Sequence, residues 1–161
     1  MADPNPVQIG WFEPDQTESM VALLRELFTH YNEGEPVTED QVREHLTKNL
    51  LAERSVSKLL VAANADRIVL GFADLTFVYS LVDPRAAHNR QCLLKELYVS
   101  KAHRGQKIGG LLMKETIRLA LQEGCARINW NVKIHNDDGI RFYKRYGAVC
   151  VEDRASYRIR L

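Results

Sequence analysis

Apolar positions along the chain change their spacing as it proceeds, and each change marks a different element. A short β-like stretch at 7–12 follows a start punctuated by Pro4 and Pro6. After Pro14-Asp15, the residues Met20, Leu23, Leu24, Leu27 and Phe28 fall three and four apart, the repeat of one helix face. Tyr31-Asn32-Glu33-Gly34-Glu35-Pro36 breaks that repeat. A second helix is predicted from Thr38, with Glu39 to Gln41 in its first turn and Val42, Leu46, Leu50 and Leu51 along one side. Residues 58–63 and 68–79 are β-rich, and Asn64-Ala65-Asp66-Arg67 between them reads as a hairpin turn. A polar loop at 83–90 leads to a strand at 92–99. From there strand and helix alternate: a helix at 105–123 stopped by Gly124, a strand at 127–132, a helix at 137–146, and β-like alternation over 149–161 at Tyr157 and Ile159. The order β-α-α-β-β-β-α-β-α-β describes an α/β (α+β) fold, a mixed central sheet flanked by helices, as one domain over residues 1–161.

Composition narrows the class. With 45% hydrophobic and 27% charged residues, the 161-residue chain has the make-up of a soluble globular protein. Lys and Arg number 22 against 21 Asp and Glu, a formal charge of +1. No global field therefore favours nucleic acid or a membrane surface as partner. Cys92, Cys125 and Cys150 are widely spaced and form no C-x-x-C pair. They read as reduced core thiols, and no metal is expected. The start MADPNPVQ lacks the basic and apolar regions of a signal peptide, and no apolar run approaches the roughly 20 residues of a membrane span. A cytoplasmic location is the expectation.

The segment 97–112, LYVSKAHRGQKIGGLL, carries the chemistry. A strand runs into a turn with Gly105, Gly109 and Gly110, then directly into an amphipathic helix. Glycines admit an anion close to the backbone, and the first amides of a helix have no internal partner. With the helix dipole they make a seat for a diphosphate, beside the charges of Arg104 and Lys107. A flexible helix start with solvated cations is the plainer alternative. The pattern is neither G-x-x-x-x-G-K-[ST] nor G-x-G-x-x-G.

Arg104-Gly105-Gln106-Lys107-Ile108-Gly109-Gly110 resembles the acetyl-CoA loop of the GNAT acetyltransferases, R/Q-x-x-G-x-G/A, with Lys107 standing where the first motif glycine is usual. The segment 136–148, NDDGIRFYKRYGA, is similar to the family's N-x-x-A-x-x-F-Y-x-K-x-G-F, with Gly139 for the small alanine and Ala148 for the final aromatic. The resemblance covers roughly residues 60–160 and lies nearest the spermidine/spermine and thialysine acetyltransferase branch. It implies an acetyl-CoA-dependent N-acetyltransferase acting on a primary amine of a small cationic molecule, whether polyamine, diamine, amino acid or aminoglycoside-like. It implies a homodimer as well. Acetylation of a protein lysine or N-terminus, and a non-catalytic acyl-CoA sensor, stand beside that reading.

The resemblance also implies roles. Acetyl-CoA would be held by Leu97, Tyr98, Val99, Arg104, Gly105, Gln106, Lys107, Ile108, Gly109, Gly110, Asn136 and Tyr143, between strands at 94–99 and 127–132 that splay apart. Tyr143 would be the general acid, since a phenol is protonated at neutral pH and can protonate a leaving thiolate; its alternative is a packed helix aromatic. Glu96, a charge within the apolar run 92–99, would be base or substrate anchor. Alternation puts Lys95 and Glu96 on opposite faces unless a bulge shifts the phase. The polyamine branch has an acidic pair at these two places, and here its first member is Lys95. A Lys95–Glu96 charge arrangement supporting structure is the other possibility. His30, Tyr31 and Glu33 would line the amine site; Glu33, Glu35, Glu39 and Asp40 form a local acidic cluster, either a receiver for a cationic amine or a solvated cluster favoured by the helix dipole. His88, like His30, is either a substrate contact or a plain surface histidine, and Trp130 reads as core.

Overall fold

Strands pair in the order in which the chain makes them. In the computed structural model, which describes residues 6–161, β1 (Gln8–Trp11), β2 (Lys58–Ala63), β3 (Val69–Tyr79) and β4 (Arg90–Val99) run antiparallel, and β5 (Ile128–Asn129) joins β4 in parallel. Pro4 lies outside the described residues. The chain forms two compact units, residues 1–130 and 131–161.

The first unit holds the whole sheet. Leu59 to Ala63 are all buried, so β2 reads as a continuous apolar run, as a strand covered on both faces must. On one face α1 (Thr17–Tyr31) and α2 (Glu39–His45) bring Met20, Val21, Leu23, Val42 and Leu46 against Leu59, Val61, Val69, Phe72 and Tyr98. Leu24 and Leu27 pack at its margin, as their spacing predicts. Alternation turns Leu60 and Ala73 to the other side, where α3 (Ile108–Gln122) buries Ile108, Leu112, Met113 and Thr116.

The ends of the helices follow local chemistry. Thr38 caps α2 by accepting the Gln41 amide, and the Gln41 side chain returns the bond to the Thr38 amide. The helix widens into a π-turn at Leu46–Leu50. That extra residue per turn leaves Leu51 exposed, off the face where the periodicity put it. α3 closes through Gly124 at φ +71, with the Cys125 amide donating to the Ala120 carbonyl and the Gly124 amide to Leu121.

Three expectations need correcting. The strand expected at 127–132 pairs only over Ile128–Asn129. Residues 149–161 form no strand, and Tyr157 and Ile159 are exposed: alternation alone makes no strand without a neighbour to bond. Finally, Cys150 is exposed rather than a core thiol, whereas Cys92 is buried and its thiol is pushed up to about 12 by that burial, with Cys125 contributing.

Candidate active site

β3 and β4 pair in step from Gly71↔Val99 to Asp74↔Glu96, and then the step breaks, because Leu75 pairs with Leu94. Lys95 is the extra residue of a β-bulge. In a regular strand Leu94 and Glu96 would share a face. With Lys95 inserted, Leu94 stays buried while Glu96 turns toward α1. There Tyr31, the last residue of α1, puts its hydroxyl 3.3 Å from each carboxylate oxygen of Glu96. Burial first, and then the Glu96 charge and hydrogen bond, push the Tyr31 phenol up.

Lys95 reaches the same surface. Its Nζ stands 3.7 Å from Oδ2 of Asp74, which also accepts a bond from Ser57 Oγ at 2.9 Å. Asp74 is 7% exposed, and its other oxygen is buried with no hydrogen-bond partner. Burial pushes this carboxyl up, against the opposing pull of the Ser57 hydroxyl, the Lys95 ammonium and the Lys58 amide. The bulge thus puts Lys95 and Glu96 on one side of the sheet.

At the end of β4 a single carboxylate from α1 gathers three groups. Glu26 accepts from the Tyr98 hydroxyl at 2.9 Å, the Ser100 hydroxyl at 3.0 Å and the Lys101 amide at 2.7 Å. Burial raises the Glu26 carboxyl, but these donors and the nearby Arg104 outweigh it and leave it below its ordinary value. The same environment pushes the Tyr98 phenol up to about 12, through burial and the Glu26 contact. Arg104 folds back on the strand, its Nε donating to the Val99 carbonyl at 3.2 Å and its guanidinium lying 5.3 Å from the centre of the Tyr98 ring. Its charge is partly committed there.

After the short turn Lys101–His103, Gly105 takes φ +80 and Lys107 takes φ +63. A Cβ on Gly105 would meet nothing within 4 Å, so backbone conformation, not crowding, calls for glycine there. The Leu111 amide makes the first bond back, to the Lys107 carbonyl at 3.1 Å. The amides of Ile108, Gly109 and Gly110 precede it, as in any helix N-terminus. Gln106 and Lys107 are exposed beside them. The helix start expected at Gly105 is therefore a turn followed by α3 from Ile108.

β4 has a second notable edge. It pairs with β5 only at Cys92↔Ile128 and Leu93↔Asn129. From Leu94 to Val99 no strand pairs with it on that side among the described residues. The backbone of Leu97, Tyr98 and Val99 thus forms a ledge directly ahead of the glycine turn.

In the unit 131–161, Asn136 caps α4 (Asp137–Lys144), its Oδ1 accepting the Gly139 amide at 3.0 Å. A Cβ on residue 139 would come within 2.6 Å of the Asn136 Nδ2, so the glycine that replaces the motif alanine fits this cap. Tyr143 is half-buried, with the Phe142 ring edge-on at 5.1 Å, and Phe142 lies 5.3 Å from Tyr146.

Around the turn after α1, Glu33 and Glu35 are exposed, while Glu39 is paired with Arg25 at 3.2 Å, which partly neutralises the acidic cluster. His30 is exposed, its ring 5.1 Å from Tyr31 and 5.9 Å from Tyr98. His88 is exposed and Trp130 half-buried. Two residues escaped sequence reasoning. Asp74 carried the same signal as Glu96, a charge inside an apolar run. Glu26 carried none, since its partners stand 72 to 75 residues further on.

The acetyltransferase (GNAT) family matches over residues 18–148. A streptothricin acetyltransferase of Streptomyces lavendulae is 30% identical over 107 residues, 66% of this chain and 52% of the relative. A thialysine N-epsilon-acetyltransferase of Mus musculus is 31% identical over 81 residues, 50% of this chain and 45% of the relative. The chain spans about half the length of these curated relatives in the matched regions. Among solved structures, an integron cassette protein from the mobile metagenome of V. cholerae aligns with a TM-score of 0.86 at 28% identity, covering 96% of this chain and 92% of that one.

Proposed function

The chain belongs to the acetyltransferase (GNAT) family, and from that premise we propose that it transfers an acetyl group from acetyl-CoA to a primary amine of a small cationic molecule. The observation that carries the proposal is the ledge of β4 from Leu94 to Val99, which has no neighbouring strand on one side among the described residues and runs into the glycine turn and the start of α3. An extended arm ending in a diphosphate suits that arrangement: backbone groups of Leu97, Tyr98 and Val99 would hold the arm, and the amides at 108–110 would receive the phosphates. Gly105, Gln106, Lys107 and Arg104 would border the same seat.

When bound, acetyl-CoA supplies an acetyl group activated as a thioester. The chain's own residues orient and move protons. Glu96, with the Tyr31 hydroxyl against its carboxylate, receives the acceptor ammonium and takes its proton, directly or through water. His30, Tyr31 and Glu33 border that acceptor. Tyr143 would give its phenolic proton to the CoA thiolate as the C–S bond breaks, and the nitrogen that becomes the amide would lose its remaining excess proton to Tyr143 or solvent. That streptothricin and thialysine name relatives supports an amine acceptor. A homodimer of this chain is part of the proposal.

Two variants test these assignments. Gly109→Asp puts a carboxylate where phosphates would sit, and calorimetry should show acetyl-CoA binding strongly weakened; unchanged affinity would remove the diphosphate site from this turn. Tyr143→Phe should keep acetyl-CoA affinity while turnover falls by about 10²–10⁴-fold, the usual contribution of a positioned general acid. Parent-like turnover would mean that another group supplies the proton. A parent that binds acetyl-CoA but releases no free thiol with any of a broad amine panel would leave the sensor reading in its place.

A further inference from the structure

The bulge in β4 does more than turn Glu96 toward α1. It sets a cation and an anion next to each other on one surface, Lys95 and Glu96, with Tyr31 at their side. Lys95 is not consumed by the carboxylate beneath it. Its Nζ lies 3.7 Å from Asp74, longer than a tight charge-assisted hydrogen bond, and Asp74 already accepts the Ser57 hydroxyl at 2.9 Å. The Lys95 side chain is 49% exposed while that of Asp74 is 11% exposed. An ammonium has three donors, so Lys95 keeps donor capacity directed away from Asp74. Glu96, in turn, sets a carboxylate beside it, in hydrogen bond with the Tyr31 hydroxyl.

A molecule entering with one ammonium finds its counter-charge at Glu96. What it carries beside that ammonium then meets Lys95. A second ammonium is repelled there, and a carboxylate is received, so a repulsive element and an attractive one act together on the choice. On the acetyl-transfer reading above, we infer that Lys95 is a specificity-determining residue, favouring amines that bear an anionic group near one nitrogen, as amino acids do, over diamines and polyamines. Asp74 acts behind it, holding the ammonium at the bulge without quenching it.

The test uses three acceptors of matched reach. L-lysine differs from cadaverine by a single carboxylate, and L-lysinamide keeps both amines of lysine while removing the charge. With the full chain and saturating acetyl-CoA, release of free thiol should give kcat/KM about tenfold higher for L-lysine than for either other amine. Lys95→Gln should bring the three within about twofold of one another, mainly through KM for lysine. Lys95→Arg, which keeps the charge, should retain the preference. KM for acetyl-CoA should be the same in all three proteins, which also reports an intact fold. A parent that acetylates cadaverine or lysinamide fastest, or a Lys95→Gln protein that keeps the lysine preference, overturns the selectivity and leaves acetyl transfer standing. A parent that acetylates none of the three overturns the selectivity, and only one that also releases no thiol with any of a broad amine panel overturns acetyl transfer with it.

Discussion

Lys107 holds φ +63, a conformation that glycine enters freely and other L-residues enter at a cost of roughly 1–2 kcal/mol. It stands where the family motif has glycine, and the left-handed turn explains why glycine is usual there. Straight-chained lysine tolerates the turn better than a β-branched residue would. Urea denaturation should therefore find Lys107→Gly as stable as the parent or up to about 1 kcal/mol more so, and Lys107→Val less stable by more than about 1 kcal/mol. Should both variants match the parent, the turn is not strained. Single residues were unevenly legible in the sequence. Glu96 was visible as a charge in an apolar run, and Asp74 was equally visible by that signal. The Glu96–Tyr31 contact was not, because it depends on a one-residue slip in pairing that composition does not encode.

Glu26 ties a helix to a strand and a loop. One carboxylate joins α1, which ends in Tyr31, to the end of β4 and the entry of the glycine turn. Its ordinary value is 4.5, and it is lowered in the fold. A lowered carboxylate contributes stability that is present above the unfolded value and is lost as pH falls through the folded one. The stability difference between parent and Glu26→Gln should thus be largest near neutral pH and shrink as pH drops below about 4.5. A difference constant from pH 7 to pH 3 would show that the charge plays no part. Glu26→Ala should also raise KM for acetyl-CoA, because the turn loses its anchor. Among the elements, the helices were the most legible: 3.6-residue spacing, the Thr38 cap and Gly124 are local signals, and local contacts realise them. The ends of β5 were not legible, because a strand's length is set by how long its neighbour stays within bonding distance.

At the scale of the molecule, the near-zero net charge leaves recognition to local groups, and the sheet order follows the chain, with hairpins joining β2 to β3 and β3 to β4, α1 and α2 between β1 and β2, and α3 in the crossover from β4 to β5. Residues 149–161 are where the pattern misled, since Val149, Val151, Tyr157, Ile159 and Leu161 are all exposed. Such exposed apolar positions accord with the proposed homodimer. Light scattering should report about twice 18.4 kDa at working concentration, and a mass of 18.4 kDa would rule the dimer out. The ledge of β4 has a last consequence. Over Leu94–Val99 no strand pairs with this edge among the described residues, and such an edge is a template for any extended polypeptide, the start of misassembly as a chain emerges or is heated. The bulge at Lys95 bends this template and puts a charge on it, two guards against an intruding strand. Occupancy by a small molecule would be a third. Turbidity on slow heating should set in at a higher temperature with CoA present than without it, so that the supply of the metabolite would govern how long the protein survives as well as how fast it works.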